Sequence, residues 1–290
     1  MEKIKPDALI EQSGNLLSLP EACIRVNELL DDGQSSAAEI AAVIIQDTAL
    51  SSRLLKVVNS SFYGFPGRVE TISRAITLVG SKELRDLAII SAAGNLFTGI
   101  PGDLINMPNF WYHSVSSGAV ARALAKERHV LHPERLFVMG VLHDIGHLVL
   151  CQQLPEQSRD ALLISKGRDE LVPLAEEEVF GFTHQEVGYL LAASWKLPES
   201  LQAAIRWHHQ PEEAEHHTLE ATLVNIGSAV ADVMLREEDL QEITELVLPQ
   251  VWQLAGVSPE IIPEIVMTVH NEITELFSLL IGDHGSAYLS

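Results

Sequence analysis

Ser36-Ala-Ala-Glu-Ile-Ala-Ala-Val-Ile-Ile-Gln-Asp47 is the stretch that sets the fold class. Ser36 and Glu39 have the spacing of a capping box, in which a hydroxyl and a carboxylate satisfy backbone N–H groups at a helix start. The apolar residues that follow recur three and four apart, as on one face of a helix. The same signs repeat along the chain. Thr183-His-Gln-Glu186 is a second capping box. Ser258-Pro259 places a capping residue before a proline at a first helical position. Gly80 follows the apolar run Ile72–Val79, where a helix C-terminal glycine belongs. No stretch sustains the alternation of apolar and polar residues that a strand requires. The expectation is therefore an all-α protein, a helical bundle of two packed lobes.

A seam between the lobes is expected at Thr98–Pro108, which holds Gly99, Pro101, Gly102 and Pro108. About four or five helices precede it and about seven or eight follow. This gives an N-terminal lobe over 1–105 and a second lobe over 106–290. Connections are short, and neither an internal repeat nor a low-complexity linker interrupts them. Gly282–Ser290 reads as a frayed tail.

Composition narrows the function. With 47% apolar residues in 290, the chain can bury a substantial core. Met1–Gln12 lacks the basic and apolar segments of a secretory leader. No run approaches the roughly 18 apolar residues that cross a bilayer. Cys23 and Cys151 are too few for a disulfide framework or a cysteine-rich zinc site, and both lie in apolar stretches as buried thiols. The expectation is a soluble protein of a reducing compartment, cytoplasmic and without membrane insertion. Net charge is −21, from 19 basic and 40 acidic residues. A phosphate-backbone binder needs clustered lysines and arginines, so nucleic acid is excluded as the main partner. A basic protein surface or a bound cation suits the charge better.

Twelve histidines are present, and their placement carries more than their number. His113 lies on the helix that starts near Asn109. His143 and Asp144 are adjacent within Met139-Gly-Val-Leu-His-Asp-Ile-Gly146. His184 opens the helix capped by Thr183, and His208 and His209 end the helix that begins at Pro198. Each lies on or beside a helix with an apolar face, so all can point into one bundle core. Imidazole with carboxylate is the donor set of iron, manganese or zinc. A bound ion of that kind makes water acidic enough to attack phosphorus near neutral pH. The residue types alone leave a second reading open, in which these are hydrogen-bonded core histidines and dipole-compensating helix ends. His216-His217, among acidic residues, reads as a solvated loop, and Glu237–Glu245 as a solvated acidic helix face.

Two sets of motifs then resemble a known family. Leu142-His-Asp-Ile-Gly146 is similar to the signature of the HD superfamily of metal-dependent phosphohydrolases. Ile44-Ile-Gln-Asp47, Asn59-Ser-Ser-Phe-Tyr-Gly64, Ile72-Ser-Arg-Ala-Ile-Thr-Leu-Val-Gly80, His184-Gln-Glu-Val-Gly188 and Trp195-Lys-Leu-Pro198 resemble the narrower pattern of HDOD domains. The likeness runs from about Leu19 to about Asp232. It implies an HD-like core in the C-terminal lobe and a bacterial, cytoplasmic, regulatory role. It also implies a ligand set of His113, His143, Asp144, His184, His208 and His209, as in HD-GYP phosphodiesterases, for a divalent iron, manganese or zinc ion. Three departures stand out. His147 replaces the lysine three residues after the aspartate. The Gly-Tyr-Pro segment after the paired histidines is absent. Ser228 takes the place of the last aspartate ligand, and Asp232, one turn on, could substitute only if the helix were shifted.

These departures favour a regulatory HDOD module with no catalytic residue assigned and a retained metal site. The competing expectation is a metal-dependent phosphohydrolase acting on a nucleotide or cyclic dinucleotide. A third keeps the ion only as a structural pin. The partners expected are a protein of a signalling pathway and a nucleotide ligand. Asn59–Gly64 is expected to end a helix and turn the chain.

Overall fold

A computed structural model describes residues 5–166, 168 and 171–281. The expected frayed tail lies outside them. Among the described residues every regular element is helical and there is no strand. The α-helices are α1 (Pro6–Ser13), α2 (Glu21–Asp32), α3 (Ala37–Gln46), α4 (Thr48–Val58), α5 (Ile72–Val79) and α6 (Ser81–Leu96), then α7 (Met107–Glu127), α8 (Glu134–Leu142), α9 (Ile145–Gln153), α10 (Pro155–Ser165) and α11 (Val172–Val179). After these come α12 (His184–Ser194), α13 (Glu199–Trp207), α14 (Thr218–Arg236), α15 (Ile243–Leu246), α16 (Pro249–Ala255) and α17 (Ile262–Ile281).

Both predicted capping boxes form, with reciprocal bonds between Ser36 and Glu39 and between Thr183 and Glu186. Gly80 closes α5 with φ +91°. Ser258 makes no side-chain cap, and Pro259 opens a short 3-10 turn that leads into α17. Among the described residues six α-helices precede the Thr98–Pro108 connection and eleven follow, more than expected. The surplus includes pieces such as α15 and α16, too short to show a helical period.

The chain divides into two compact units. One joins the residues up to Ser18 to Phe97–Ile265, and the other joins Leu19–Leu96 to the chain from Val266 onward. A single cut at 105/106 cannot describe this, because each end of the chain belongs with the unit remote from it in sequence. The Trp195 indole donates to the Leu17 carbonyl at 2.8 Å, which ties the N-terminal segment to α12 in the first unit. In the second unit Glu275 of α17 accepts from the backbone N–H and hydroxyl of Ser61.

In the second unit Asn59 does end α4 and turn the chain. Its amide donates to the carbonyls of Leu55 and Val69, and its oxygen accepts from the Val69 N–H at 2.7 Å. One side chain thus closes the loop that Ser60–Gly64 opens. Phe62 and Val69 are buried, and Tyr63 donates to Glu83. Cys23 and Cys151 are free and buried, and burial pushes their pKa values up to about 12 and about 11. Neither thiol is a nucleophile at neutral pH.

The first unit is assembled by helices that touch backbone to backbone. A Cβ on Gly118 of α7 would lie 2.4 Å from the Phe137 carbonyl oxygen of α8, and one on Gly140 of α8 would lie 2.4 Å from Gly118 Cα. A Cβ on Gly227 of α14 would come within 2.5 Å of the Ser117 oxygen. At a second crossing Gly146 of α9 faces the His184 carbonyl of α12, with Gly188 beside it. Only glycine permits these approaches. Two stretches, Glu134–Gln153 and Thr218–Arg236, are long and apolar enough to cross a membrane, and both are mostly buried in the unit's core.

Candidate metal centre

The packing of these helices brings together every residue expected at the site. His113 projects from the middle of α7. His143 and Asp144 occupy the break between α8 and α9. His184 is the first residue of α12. His208 and His209 follow α13 directly. His113, His143, Asp144, His184 and His208 are buried, four of them on helix ends rather than helix faces.

The rings are oriented by a common device. His143 donates from Nδ1 to the Gly140 carbonyl at 2.7 Å, and His208 from Nδ1 to the Ile205 carbonyl at 2.8 Å. Each carbonyl belongs to the last turn of the ring's own helix and lacks an intrahelical partner. The histidine satisfies it and in doing so turns Nε2 away from the helix. The other two rings use carboxylates. His113 Nδ1 lies 3.1 Å from Asp232 Oδ1, and His184 Nδ1 lies 2.7 Å from Glu176 Oε2. Such outer partners fix the tautomer and turn Nε2 toward the cluster.

All four Nε2 atoms converge on Asp144, whose two oxygens divide them. Oδ2 lies 3.2 Å from His143 Nε2 and 3.7 Å from His113 Nε2. Oδ1 lies 3.4 Å from His208 Nε2 and 3.6 Å from His184 Nε2. Two groups of metal-type donors therefore share one carboxylate: His113, His143 and Asp144; and Asp144, His184, His208 and His209. A third, overlapping group is His147, Glu176 and His184.

Two of these residues escape a reading of the sequence as ligands. Glu176 is 3% exposed and accepts from the backbone N–H of His184 as well as its ring. His147 stacks on His184 with ring centroids 3.7 Å apart, and its Nδ1 lies 3.2 Å from Glu176 Oε1. Ser228 does stand at the expected ligand position, its Oγ 3.4 Å from His113 Nε2. Asp232 does not replace it, because it meets the opposite nitrogen of that ring. His216 and His217 lie outside the cluster, at the loop before α14.

Electrostatics keep the donors in their binding forms. Burial opposes ionisation of Asp144, but His143, His208 and His147 outweigh it and hold the pKa well below the usual carboxylate range. Glu176 follows the same pattern, with burial overcome by His184 and His147. Burial lowers the pKa of His208 to about 4, against the pull of Asp144. His209 is also held well below the usual histidine value, by burial and by neighbouring His208. At pH 7 the last two are neutral imidazoles beside an ionised carboxylate.

This arrangement fits a metal ion. His113 and His143 face each other through Nε2 atoms 3.4 Å apart, and His184 and His208 through Nε2 atoms 3.3 Å apart. With each Nδ1 carrying the proton, these pairs oppose lone pair to lone pair. An edge of about 3.3 Å is what a tetrahedron of ligands about 2.0 Å from a central ion presents. The His209 Nε2 atom is buried and makes no hydrogen bond, a donor with nothing to bind in the protein itself.

The depressed imidazoles set the acid behaviour of the chelated protein. A histidine near pKa 4 when folded and about 6.5 when unfolded binds fewer protons in the folded state between those values. Its contribution is present above pH 6.5 and is lost as pH falls toward 4. Stability should fall by about 1.4 kcal/mol per pH unit from His208 in that window, and His209 adds to the loss in the same direction. Denaturant titrations of the chelated protein from pH 7 to 4.5 check this, and the slope should flatten in His209→Gln.

A cavity of about 270 Å³ opens onto the cluster within the first unit. His113, Asp144, His147, Glu176 and Asp232 form its polar end. Phe110, Leu150, Leu162, Val172, Phe180 and Leu235 are among its apolar walls, with Asn106, Asn109, Ser158 and Ser165 between them, and among the described residues no lysine or arginine lines it.

An all-helical unit built around a buried histidine–aspartate cluster that could bind a metal is the architecture of the HD-like phosphohydrolase folds. The HDOD domain model matches residues 16–211, and the chain belongs to the HDOD domain family. A solved protein of Shewanella amazonensis SB2B, provisionally named a phosphohydrolase, is 26% identical, with TM-score 0.74 over 94% of this chain and 97% of that one. An HDOD domain protein of unknown function from Geobacter sulfurreducens shares the fold at 23% identity, with TM-score 0.70 over 93% of this chain and 99% of that one. An uncharacterized protein of Treponema pallidum (strain Nichols) is 27% identical over 212 residues, 71% of this chain, which spans about two fifths (40%) of that curated relative.

Proposed function

We propose that this chain is a regulatory signalling module whose first unit binds a divalent transition metal, and that phosphoester turnover is not its main task. The observation that carries the reading is the division of Asp144 between two groups of Nε2 donors, with Ser228 rather than a carboxylate closing the set. His113 and His143 would hold an ion on the Oδ2 side, and His184, His208 and His209 one on the Oδ1 side. A bound ion of this class supplies Lewis acidity for attack on phosphorus.

What argues against efficient turnover is the rest of the cavity. Transition-state charge on a phosphoryl group needs preorganised cations or donors, and His147 is the cavity residue best placed to serve. It is held by Glu176 and lies 4.0 Å from Asp144 Oδ1. The alternative, a phosphohydrolase acting on a nucleotide, draws on the name of the Shewanella relative and on the cavity that reaches the cluster. In the regulatory reading a protein of a signalling pathway is the partner, and the ligand state of the metal unit is what it senses.

Elemental analysis of protein purified without a metal-affinity tag, beside His143→Ala, tests the proposal. Near-stoichiometric iron, manganese or zinc that is lost in the variant is the expected result. Absence of metal after reconstitution rejects the metal site. Metal-dependent hydrolysis of a nucleotide, abolished in His143→Ala, rejects the non-catalytic reading.

A further inference from the structure

Helix α14 touches both donor groups, yet among the described residues no metal-type group takes a histidine or carboxylate from it. Its contribution is a stripe of Asn225, Ser228 and Asp232, which the helical period places on one face. The half-buried Asn225 amide donates to the His208 carbonyl at 2.7 Å. That carbonyl belongs to the peptide joining His208 to His209, beyond the last turn of α13. Of the carbonyls before it, Ile205 is met by the His208 ring and Arg206 by the Gln185 amide at 3.3 Å. His209 depends most on the anchored peptide, because its Nε2 makes no hydrogen bond and its ring only meets His184 edge-on. Two turns along α14, Asp232 reaches the other group. Its Oδ1 lies 3.1 Å from His113 Nδ1, while Arg236 donates to its Oδ2 at 3.4 Å. The arginine fixes which way the carboxylate faces, and the carboxylate fixes which nitrogen of His113 carries the proton. Between the two contacts Gly227 seats α14 on Ser117 and Ala121 of α7, the helix that carries His113.

We infer that Asn225 and Asp232 are positioning residues, each for one donor group. Asn225 holds His208 and His209 on the Oδ1 side of Asp144, and Asp232 holds His113 on the Oδ2 side. The inference rests on the metal reading above and deepens it, by giving each side of Asp144 its own control on α14. Neither side chain has to touch an ion. Loss of one alters one group, whereas a shift of α14 as a body alters both. A mere cap on α13 would behave differently: its removal would cost stability and leave the coordination of bound metal unchanged.

Titration of the metal-stripped full chain with cobalt(II), followed by visible absorption, tests this, because cobalt's bands report the number and geometry of its ligands. Asn225→Leu keeps roughly the side-chain size and removes the donor. It should weaken cobalt binding at one group by about tenfold or more, and the absorption that remains should match that of His208→Ala. Asp232→Leu should do the same at the other group and match His113→Ala. Asp232→Asn keeps an acceptor oxygen for His113 and should recover affinity relative to Asp232→Leu. Gln185→Leu frees a carbonyl of α13 but leaves the His208–His209 peptide anchored, so it should lower the Tm of the stripped protein and keep the wild-type spectrum. Asn225→Asp, which also lacks the donor, carries the test if the leucine variant does not fold. Variants at 225 and 232 that keep the wild-type spectrum and affinity, or that weaken all bound cobalt alike, overturn this inference and leave the metal site standing. Wild-type protein that takes no cobalt overturns both.

Discussion

Asp144→Asn is expected to empty both donor groups at once. Asp144 Oδ2 serves His113 and His143, and Oδ1 serves His184 and His208, so this one carboxylate reaches all four rings. Asparagine keeps the shape and removes the charge, and its amide would direct N–H groups at one set of Nε2 atoms. Affinity should therefore fall by more than the roughly 10- to 100-fold that loss of an outer partner brings. Glu176→Gln supplies that comparison, because Glu176 reaches the donors only through His184 and His147. Stability reports the same event. A metal held at about 1,000 times its Kd stabilises by about 4 kcal/mol, a Tm shift on the order of 10 °C. Chelation should lower the wild-type Tm by that much and leave Asp144→Asn unmoved. A variant that retains near-stoichiometric metal would show that the carboxylate is not shared.

Apart from His113, which lies within α7, the cluster histidines were legible in the sequence because they stand at or beside helix boundaries marked by their own signals. Thr183 caps the helix that His184 opens, and His143-Asp144 lies in the Leu142–Gly146 motif. Glu176 was hidden for a physical reason. It sits within Glu176-Glu-Glu178 in a chain of 40 acidic residues, so composition gives it no contrast. Its helical position was the available signal: it lies four after Val172 and three before Val179, on the apolar stripe of α11, where an unpaired carboxylate would be costly. Asp232 shows the limit of spacing arguments. One turn separates it from Ser228, and that turn carries it past the face of the His113 ring to the far nitrogen. Spacing gives the helix face, whereas which imidazole nitrogen is met depends on how α14 crosses α7, where Gly227 packs against Ser117 and Ala121. The division of the chain was hidden similarly, because the Trp195–Leu17 bond joins residues 178 apart.

Gly146→Ala is expected to loosen the fold and the site together. A Cβ there would lie 1.9 Å from the His184 carbonyl oxygen and 2.8 Å from the Gly188 nitrogen, both backbone atoms. No rotamer change can relieve a clash with backbone, so α12 must move away from α9. Overpacking usually destabilises by about 1–3 kcal/mol, and this contact belongs at or above the top of that range, a Tm fall of about 6 °C or more. The displacement has a direction. It parts the His147–His184 stack and carries His184 Nε2 away from Asp144 Oδ1, which starts at 3.6 Å. Metal content should fall with the Tm, even though Gly146 offers no donor side chain. Gly188→Ala is the milder neighbour, since its nearest contact is the Ile205 side chain at 2.9 Å, which can shift. Thermal unfolding followed by circular dichroism, with elemental analysis of the same samples, separates the two. Wild-type Tm and metal content in Gly146→Ala would mean that the α9–α12 crossing is not what holds His184 in the cluster.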